Sequence, residues 1–205
     1  MKVLAINGSP HKAGTTNEAL SIMAETLALQ GIDTEILWIG DKPVQGCTGC
    51  GGCRKHRGRC IHDDAVNESL LKMADCDGLL LGSPVYYASI AGGMKCFLDR
   101  FFFAGAPVQY KVGAGVAVLR RSGAVTTFDH LNHYFNLQNM LIAPSYYWNT
   151  AHGANAEQLA EDAEGLCILR NTAQNMAWLM KTLAFAKDTV PIPAPYPREW
   201  TNFVR

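Results

Sequence analysis

The sequence predicts a doubly wound α/β domain, a five-stranded parallel sheet in the order 2-1-3-4-5 with helices on both faces. Three observations carry that expectation. Five short apolar runs alternate with five amphipathic stretches along the 205 residues, the pattern of repeated strand–helix units. One of these runs, Gly78–Gly82 (GLLLG), is apolar throughout, as strands buried on both faces of a parallel sheet are. Right-handed crossovers that must cover two faces then put the ligand crevice at the carboxyl ends of strands 1 and 3.

Taken in order, Val3–Ile6 is a short run with β-branched residues and reads as the first strand. A polar loop with Asn7-Gly8-Ser9-Pro10 and Gly14 follows, then a helix on which Leu20, Met23, Ala24 and Leu27 share a face and Gly31 supplies the stop. Thr34–Ile39 is the second strand, with Trp38 near its end. Residues 41–62 form a long loop rich in Gly, Cys and basic residues, and loops of that length in small domains are usually functional or disordered. Asp63 or Asp64 caps the next helix, marked by Val66, Leu70 and Met73.

The third strand, Gly78–Gly82, runs into a loop at Ser83–Tyr87 and a helix with Met94, Phe97, Leu98 and Phe101 on one side. Val112–Leu119 is the fourth strand, followed by the turn Arg120–Gly123 and a helix from about Thr127 with Phe128, Leu131 and Phe135 inward. Met140–Ala143 is a short fifth strand, Ser145–Gly153 a polar aromatic loop, and 156–187 a long helix with an interruption expected at Gly165. Residues 1–190 make one domain, and the Pro-rich residues 191–205 read as an extended tail.

Composition bounds the function. At 48% apolar residues the chain can bury one sizeable core. Eighteen basic and eighteen acidic residues cancel, so no nucleic-acid footprint is expected. No apolar run approaches a membrane span, and the N-terminus lacks the features of a secretory leader, so a cytoplasmic protein is expected. Four of seven cysteines cluster, which in that compartment favours metal or redox chemistry over structural disulfides. Cys76, Cys96 and Cys167 read as buried small hydrophobes.

The loop after the first strand enters a helix N-terminus, where the first amides have no internal partner and the macrodipole favours negative charge. It is neither a Walker loop nor a dinucleotide fingerprint. It offers the hydroxyls of Ser9, Thr15 and Thr16, the backbone at Gly14, the amide of Asn17, and only His11 and Lys12 as cations. That suits a single terminal phosphate monoester, as in flavin mononucleotide (FMN). Ordinary capping is the rival, because Thr15-x-x-Glu18 also reads as a capping box.

NGSPHKAGTTN resembles the phosphate loop G-S-P-[RK]-x-x-G-[NST]-T of NAD(P)H-dependent FMN reductases and iron–sulfur flavoproteins, which have the flavodoxin-like fold. His11 stands where those families often carry arginine. Ser83-Pro84-Val85-Tyr86-Tyr87 resembles their second flavin loop, G-S-P-x-Y, which implies that backbone at Ser83–Val85 meets the pyrimidine edge of the ring and that Tyr86 or Tyr87 borders it. The alternative is that both tyrosines fill the core. Arg121, Ser122 and Gly123, after strand four, stand where a cation or a row of N–H groups would steady the anion of reduced flavin; the bland alternative is solvated arginine, preferred for Arg120. The segment around Tyr146–Asn149 resembles the part that extends the flavin pocket and subunit contact in some members, which makes Trp148 a flavin candidate.

Cys47-x2-Cys50-x2-Cys53-x6-Cys60 is the sharpest feature. Four thiolates from a short loop suit a cubane cluster, Gly46, Gly49, Gly51 and Gly52 permit the wrapping, and Arg54, Lys55, Arg57 and Arg59 offset the charge. The spacing resembles the motif that holds a [4Fe-4S] cluster in iron–sulfur flavoproteins. Zinc, a redox pair of thiols and idle thiols stay open beside it. The resemblance implies an FMN-dependent oxidoreductase, a homodimer or homotetramer, with NAD(P)H or a ferredoxin-like carrier as donor. Rival readings are a clusterless NAD(P)H:FMN or quinone reductase and a flavodoxin-type carrier. No side chain is needed as general acid or base, and none is nominated.

Overall fold

Strict alternation along the strands decides which layer each side chain fills. In the computed structural model, which describes all residues except 41, 57, 195, 196, 198, 200, 202, 204 and 205, the first strand β1 is Lys2–Asn7. Its Val3 and Ala5 face one core layer and its Leu4 and Ile6 the other. The same split recurs in β3 (Gly78–Tyr86), where Leu80 joins the first layer and Leu79 and Leu81 the second. Both layers are closed by helices. Helices α1 (Thr15–Ala28) and α7 (Ala163–Ala186) cover the first, while α3 (Ala65–Ala74), α4 (Gly92–Phe103) and α5 (Ala124–Leu137) cover the second.

The sheet order confirms the doubly wound topology. Strand β2 (Asp33–Trp38) pairs in parallel with β1, β1 with β3, and β3 with β5 (Val112–Leu119). The fifth position is split between two pieces. Strand β6 (Leu141–Ile142) pairs with Val112 and Gly113, and β7 (Thr150–His152) pairs with Ala117–Leu119. The expected run Met140–Ala143 is thus only the first half of that strand, and the loop expected at Ser145–Gly153 contains the second half. Pro144, which has no N–H to give a ladder, ends the first piece.

Strand β5, VGAGVAVL, shows why small residues alternate with valine. Val112, Ala114, Val116 and Val118 all face the α1/α7 layer. On the other side a Cβ at Gly113 would lie 2.8 Å from the Phe135 ring, and one at Gly115 would lie 3.0 Å from Leu131 Cβ. Helix α5 therefore packs almost directly on the strand backbone.

Four local expectations are corrected. Strand β3 does not end at Gly82. It continues to Tyr86 and turns back through Tyr87-Ala88 into β4 (Ser89–Ile90), with Val85 opposite Ile90. Helix α5 starts three residues before Thr127, at Ala124. The long C-terminal helix is interrupted at Asp162 rather than Gly165: α6 (Ala156–Glu161) ends there, and the Asp162 carboxylate accepts from Gly165 N at 3.0 Å to cap α7. Cys167 is exposed, because its position on α7 lies off the face that buries Ile168 and Leu169; Cys76 is buried as expected, and Cys96 partly so. Asp64, not Asp63, caps α3, accepting from Val66 N at 3.1 Å. Expectations for Arg57 and for part of the tail lie outside the described residues. Among the described residues no helix is long and apolar enough to cross a membrane.

Candidate flavin cleft and cysteine cavity

The loop after β1 is shaped by side chains that turn inward. Asn7, fully buried, accepts from Ser9 N at 3.0 Å and donates through Nδ2 to Asn17 Oδ1 at 3.2 Å. Ser9 Oγ accepts from His11 N at 3.1 Å, and Ser9 O accepts from Trp38 Nε1 at 2.8 Å. A Cβ at Gly8 would lie 2.6 Å from Met94 Sδ, so only glycine lets the loop settle against α4.

Helix α1 begins at Thr15, and its N-cap is Gly14 with no side-chain cap. This corrects the capping-box expectation: Thr15 is the first helical residue, one position too late to cap. The amides of Thr15 and Thr16 are left without intrahelical partners. They open on a cleft of about 590 Å³ lined by Ser9, His11, Ala13, Gly14, Thr15, Thr16, Pro84, Tyr86 and Val118, and on its far wall by residues 153–157. That size is ordinary for a cofactor site.

The structure therefore brings together Ser9, His11, Gly14, Thr15, Thr16, Pro84 and Tyr86 in one cleft. Asn17 does not line it, because its carboxamide is turned back to Asn7. Ser83 is wholly buried, and its hydroxyl accepts from Ala91 N at 3.1 Å, which fixes the hairpin to the start of α4. Gly123 takes φ 93°, and a Cβ there would lie 2.8 Å from Val85 Cγ1, so the turn after β5 packs on the β3–β4 hairpin. Val85 is consequently a packing residue, while Arg121 and Ser122 are exposed. Tyr86 is 44% and Tyr87 107% exposed, which excludes the reading of both as core fillers. Tyr87 adopts φ 56°, a left-handed conformation costly outside glycine. Trp148 is exposed and leans on Tyr147, outside the cleft. Asn149 is buried, with Oδ1 accepting from Thr172 Oγ1 at 3.1 Å and Nδ2 unpartnered.

The wall at 153–157 was missed by the sequence reading. It exists because β7 returns the chain to the sheet, and Asn155 then caps α6 through Gln158 N at 2.9 Å. A Gly-Ala-Asn stretch before AEQLAE was the available signal. His130 is half-buried: its Nδ1 lies 2.8 Å from Ser89 Oγ, and burial, with Lys95 and His133 nearby, holds its pKa below the usual imidazole value.

Cys47, Cys50, Cys53 and Cys60 all line a second cavity, of about 20 Å³, between the cysteine loop and α4. A cavity of that size has room for about one water. Short helix α2 (Gly52–Lys55) forms part of the loop, and Gly49 and Gly51 take positive φ. Cys47 and Cys50 are exposed, and hydrogen bonds from the Gly52 backbone and the Thr48 side chain draw the Cys50 thiol pKa downward. Cys60 is held from both sides. Its backbone exchanges hydrogen bonds with Asn67, and its Sγ accepts from Arg100 Nε at 3.2 Å. The Arg100 side chain, only 1% exposed, is a salt-bridge partner of Asp64. Burial opposes its charge, but Asp64 and Cys60 more than compensate and its pKa lies above the ordinary value. His62 lines the same cavity, and its Nε2 is buried with no partner. Among the described residues no three His, Cys, Asp or Glu side chains converge as a metal centre.

A five-position parallel sheet with an uncapped helix N-terminus at its switch point defines a flavodoxin-like protein. A solved flavodoxin from the domain Archaea superposes with a TM-score of 0.59 at 14% identity, covering 88% of this chain and 99% of its own. The structure of RosB with a bound riboflavin-5′-phosphate derivative superposes with a TM-score of 0.71 at 14% identity, covering 100% of this chain and 94% of its own. The family model described as NADPH-dependent FMN reductase matches residues 1–155, and the chain belongs to that family. It is a flavin-dependent oxidoreductase. It is also 33% identical over 192 residues to an iron-sulfur flavoprotein of Methanocaldococcus jannaschii, covering 89% of this chain and 99% of the relative.

Proposed function

We propose that this chain is an FMN-binding oxidoreductase that passes electrons between a reduced donor, NAD(P)H or a ferredoxin-like carrier, and an acceptor by way of a [4Fe-4S] cluster on Cys47, Cys50, Cys53 and Cys60. The observation that carries the cluster is that all four cysteines wall one cavity, with a buried guanidinium on Cys60 Sγ and an orphaned imidazole nitrogen beside them. The donor set fits thiolate ligation of iron. The similarity to iron-sulfur flavoproteins points the same way.

Bound FMN supplies two-electron acceptance at its N5 and one-electron release. The chain's residues bind and orient it. Ser9, Thr15 and Thr16 offer neutral donors to the terminal phosphate beside the Gly14 backbone, with His11 at the rim, while Asn17 steadies the loop through Asn7. Pro84 and Tyr86 flank the ring side of the cleft. Ser83, Val85 and Gly123 hold the hairpin in place. Tyr87, Arg121, Ser122 and Trp148 are exposed around it, available to the ring or to a second subunit in a cytoplasmic homodimer or homotetramer. Residues 1–190 form the working domain and 191–205 its tail.

A second reading is a clusterless NAD(P)H:FMN or quinone reductase. The small volume of the cysteine cavity and the unconverged sulfurs favour it. An ultraviolet–visible spectrum with iron, sulfide and zinc analysis, on protein purified without oxygen, separates the two. Flavin bands on a broad absorbance near 400 nm, with about four irons per chain, are expected. Flavin without iron leaves the clusterless reductase or a flavodoxin-type carrier, split by NAD(P)H turnover. Protein that stays without flavin after FMN is added overturns the flavin assignment.

A further inference from the structure

We infer that Arg100, on helix α4, is a positioning residue for the cysteine-bound centre: it presents Cys60 to the cluster and tunes it through an N–H···S bond. The inference rests on the cluster reading above. Arg100 is the largest fully buried side chain among the described residues, and each side-chain hydrogen bond described for it goes to the segment 45–64. Nη1 donates to Gln45 O at 3.2 Å and to Asp64 Oδ2 at 2.6 Å. Nη2 donates to His62 O and to Asp64 Oδ1, both at 3.0 Å. Gln45 precedes the first cysteine and His62 and Asp64 follow the last, so a single guanidinium clasps both ends of the cysteine segment. The planar fork of arginine makes that geometry, and lysine cannot copy it.

Nε–H, the remaining donor, is aimed at sulfur rather than oxygen, at 3.2 Å from Cys60 Sγ. A thiol is a weak acceptor and a thiolate a far better one, so the contact suits a deprotonated, metal-ligating Cys60. Hydrogen bonds and positive charge at ligand sulfurs stabilise the more negative, reduced form of an iron–sulfur centre and raise its potential. Among the described residues Cys60 is otherwise pinned through its backbone, by Asn67, so the orientation of its sulfur depends on Arg100.

The test uses the full-length protein purified without oxygen, wild type beside Arg100→Lys, Arg100→Gln and Asp64→Asn, with folding checked by circular dichroism and FMN binding. Iron and sulfide content, the reduction potential of the loaded fraction and the iron–thiolate stretching bands in resonance Raman are measured. In Arg100→Lys the loaded fraction should become harder to reduce by about tenfold in the reduction equilibrium, equivalent to about 59 mV for one electron, with displaced iron–thiolate bands. Arg100→Gln should in addition lose most of its iron. Asp64→Asn, which keeps the Nε–H, should lose iron with little change in potential. Folded Arg100→Lys that takes up no iron on reconstitution also supports the role. A loaded Arg100→Lys protein with wild-type potential and Raman bands overturns the inference alone. A wild-type protein without iron overturns the cluster reading and this inference with it.

Discussion

Thr16 illustrates how a residue of ordinary helix propensity acquires a role from its position. It stands second in α1, is 2% exposed, and lines the cleft, so its hydroxyl is a side-chain donor there beside the amides that the helix cannot satisfy. If the cleft holds the FMN phosphate, a hydroxyl donating to a dianion contributes about 1.5–3 kcal/mol. Thr16→Val should therefore weaken FMN binding about ten- to a hundredfold, read by titrating the quenching of flavin fluorescence, while the far-ultraviolet circular dichroism stays unchanged. An unchanged affinity would move the phosphate elsewhere. The sequence motif marked this residue, but not Asn17's true task. Only the folded loop shows that Asn17 is bonded to Asn7, a pairing across ten residues that no spacing rule encodes.

At the scale of elements, α5 lies close against the backbone of β5. Gly115→Val would drive two methyl groups into Leu131 and Phe135, and overpacking of this kind costs about 1–3 kcal/mol. Urea unfolding should show a lowered midpoint with the slope preserved, and Gly115→Ala a smaller loss. Equal stability of the valine variant would mean that α5 can move away from the sheet. The expected helices and strands were legible because their apolar positions recur at 3.6 or 2 residues. The short pieces were not: β4 has two residues and β7 three, too few for any period to register, and both owe their existence to pairing with a neighbour already in place. Those two pieces shape the cleft, since the β4 hairpin presents Tyr86 and β7 delivers the wall at 153–157.

Over the whole molecule, Glu35 ties three elements at the amino end of the sheet. It bonds Lys2 of β1 at 2.7 Å and also Lys72 of α3. Hydrogen bonds from Lys2 and Lys72 hold the Glu35 carboxyl below the usual carboxylate range. The folded state therefore binds this proton less readily than the unfolded chain. Stability from the pair is fully present above the ordinary value near 4.5 and is lost as pH falls from there through the folded pKa. Thermal unfolding as a function of pH should show an acid limb that is flatter in Glu35→Gln. A limb of unchanged slope would assign acid sensitivity to other groups. The bridge lies at the amino edge of the sheet and the cleft at its carboxyl edge, so FMN affinity should be unaffected by this change.

The sequence by itself determined the doubly wound topology, the polar loop before the first helix and the cysteine set, because each is written in local pattern: alternation, a glycine–hydroxyl loop before a helix, and spacing between like residues. The tertiary structure decided what depends on contact between distant segments. It brought residues 153–157 against the loop after β1, exposed both tyrosines of the hairpin, and closed Arg100 over a loop some 36 to 55 residues away in the chain. Burying a lone guanidinium is unfavourable until its partners arrive together. The weight of Arg100 in this protein is therefore a property of the fold that its place in FLDRF could not disclose.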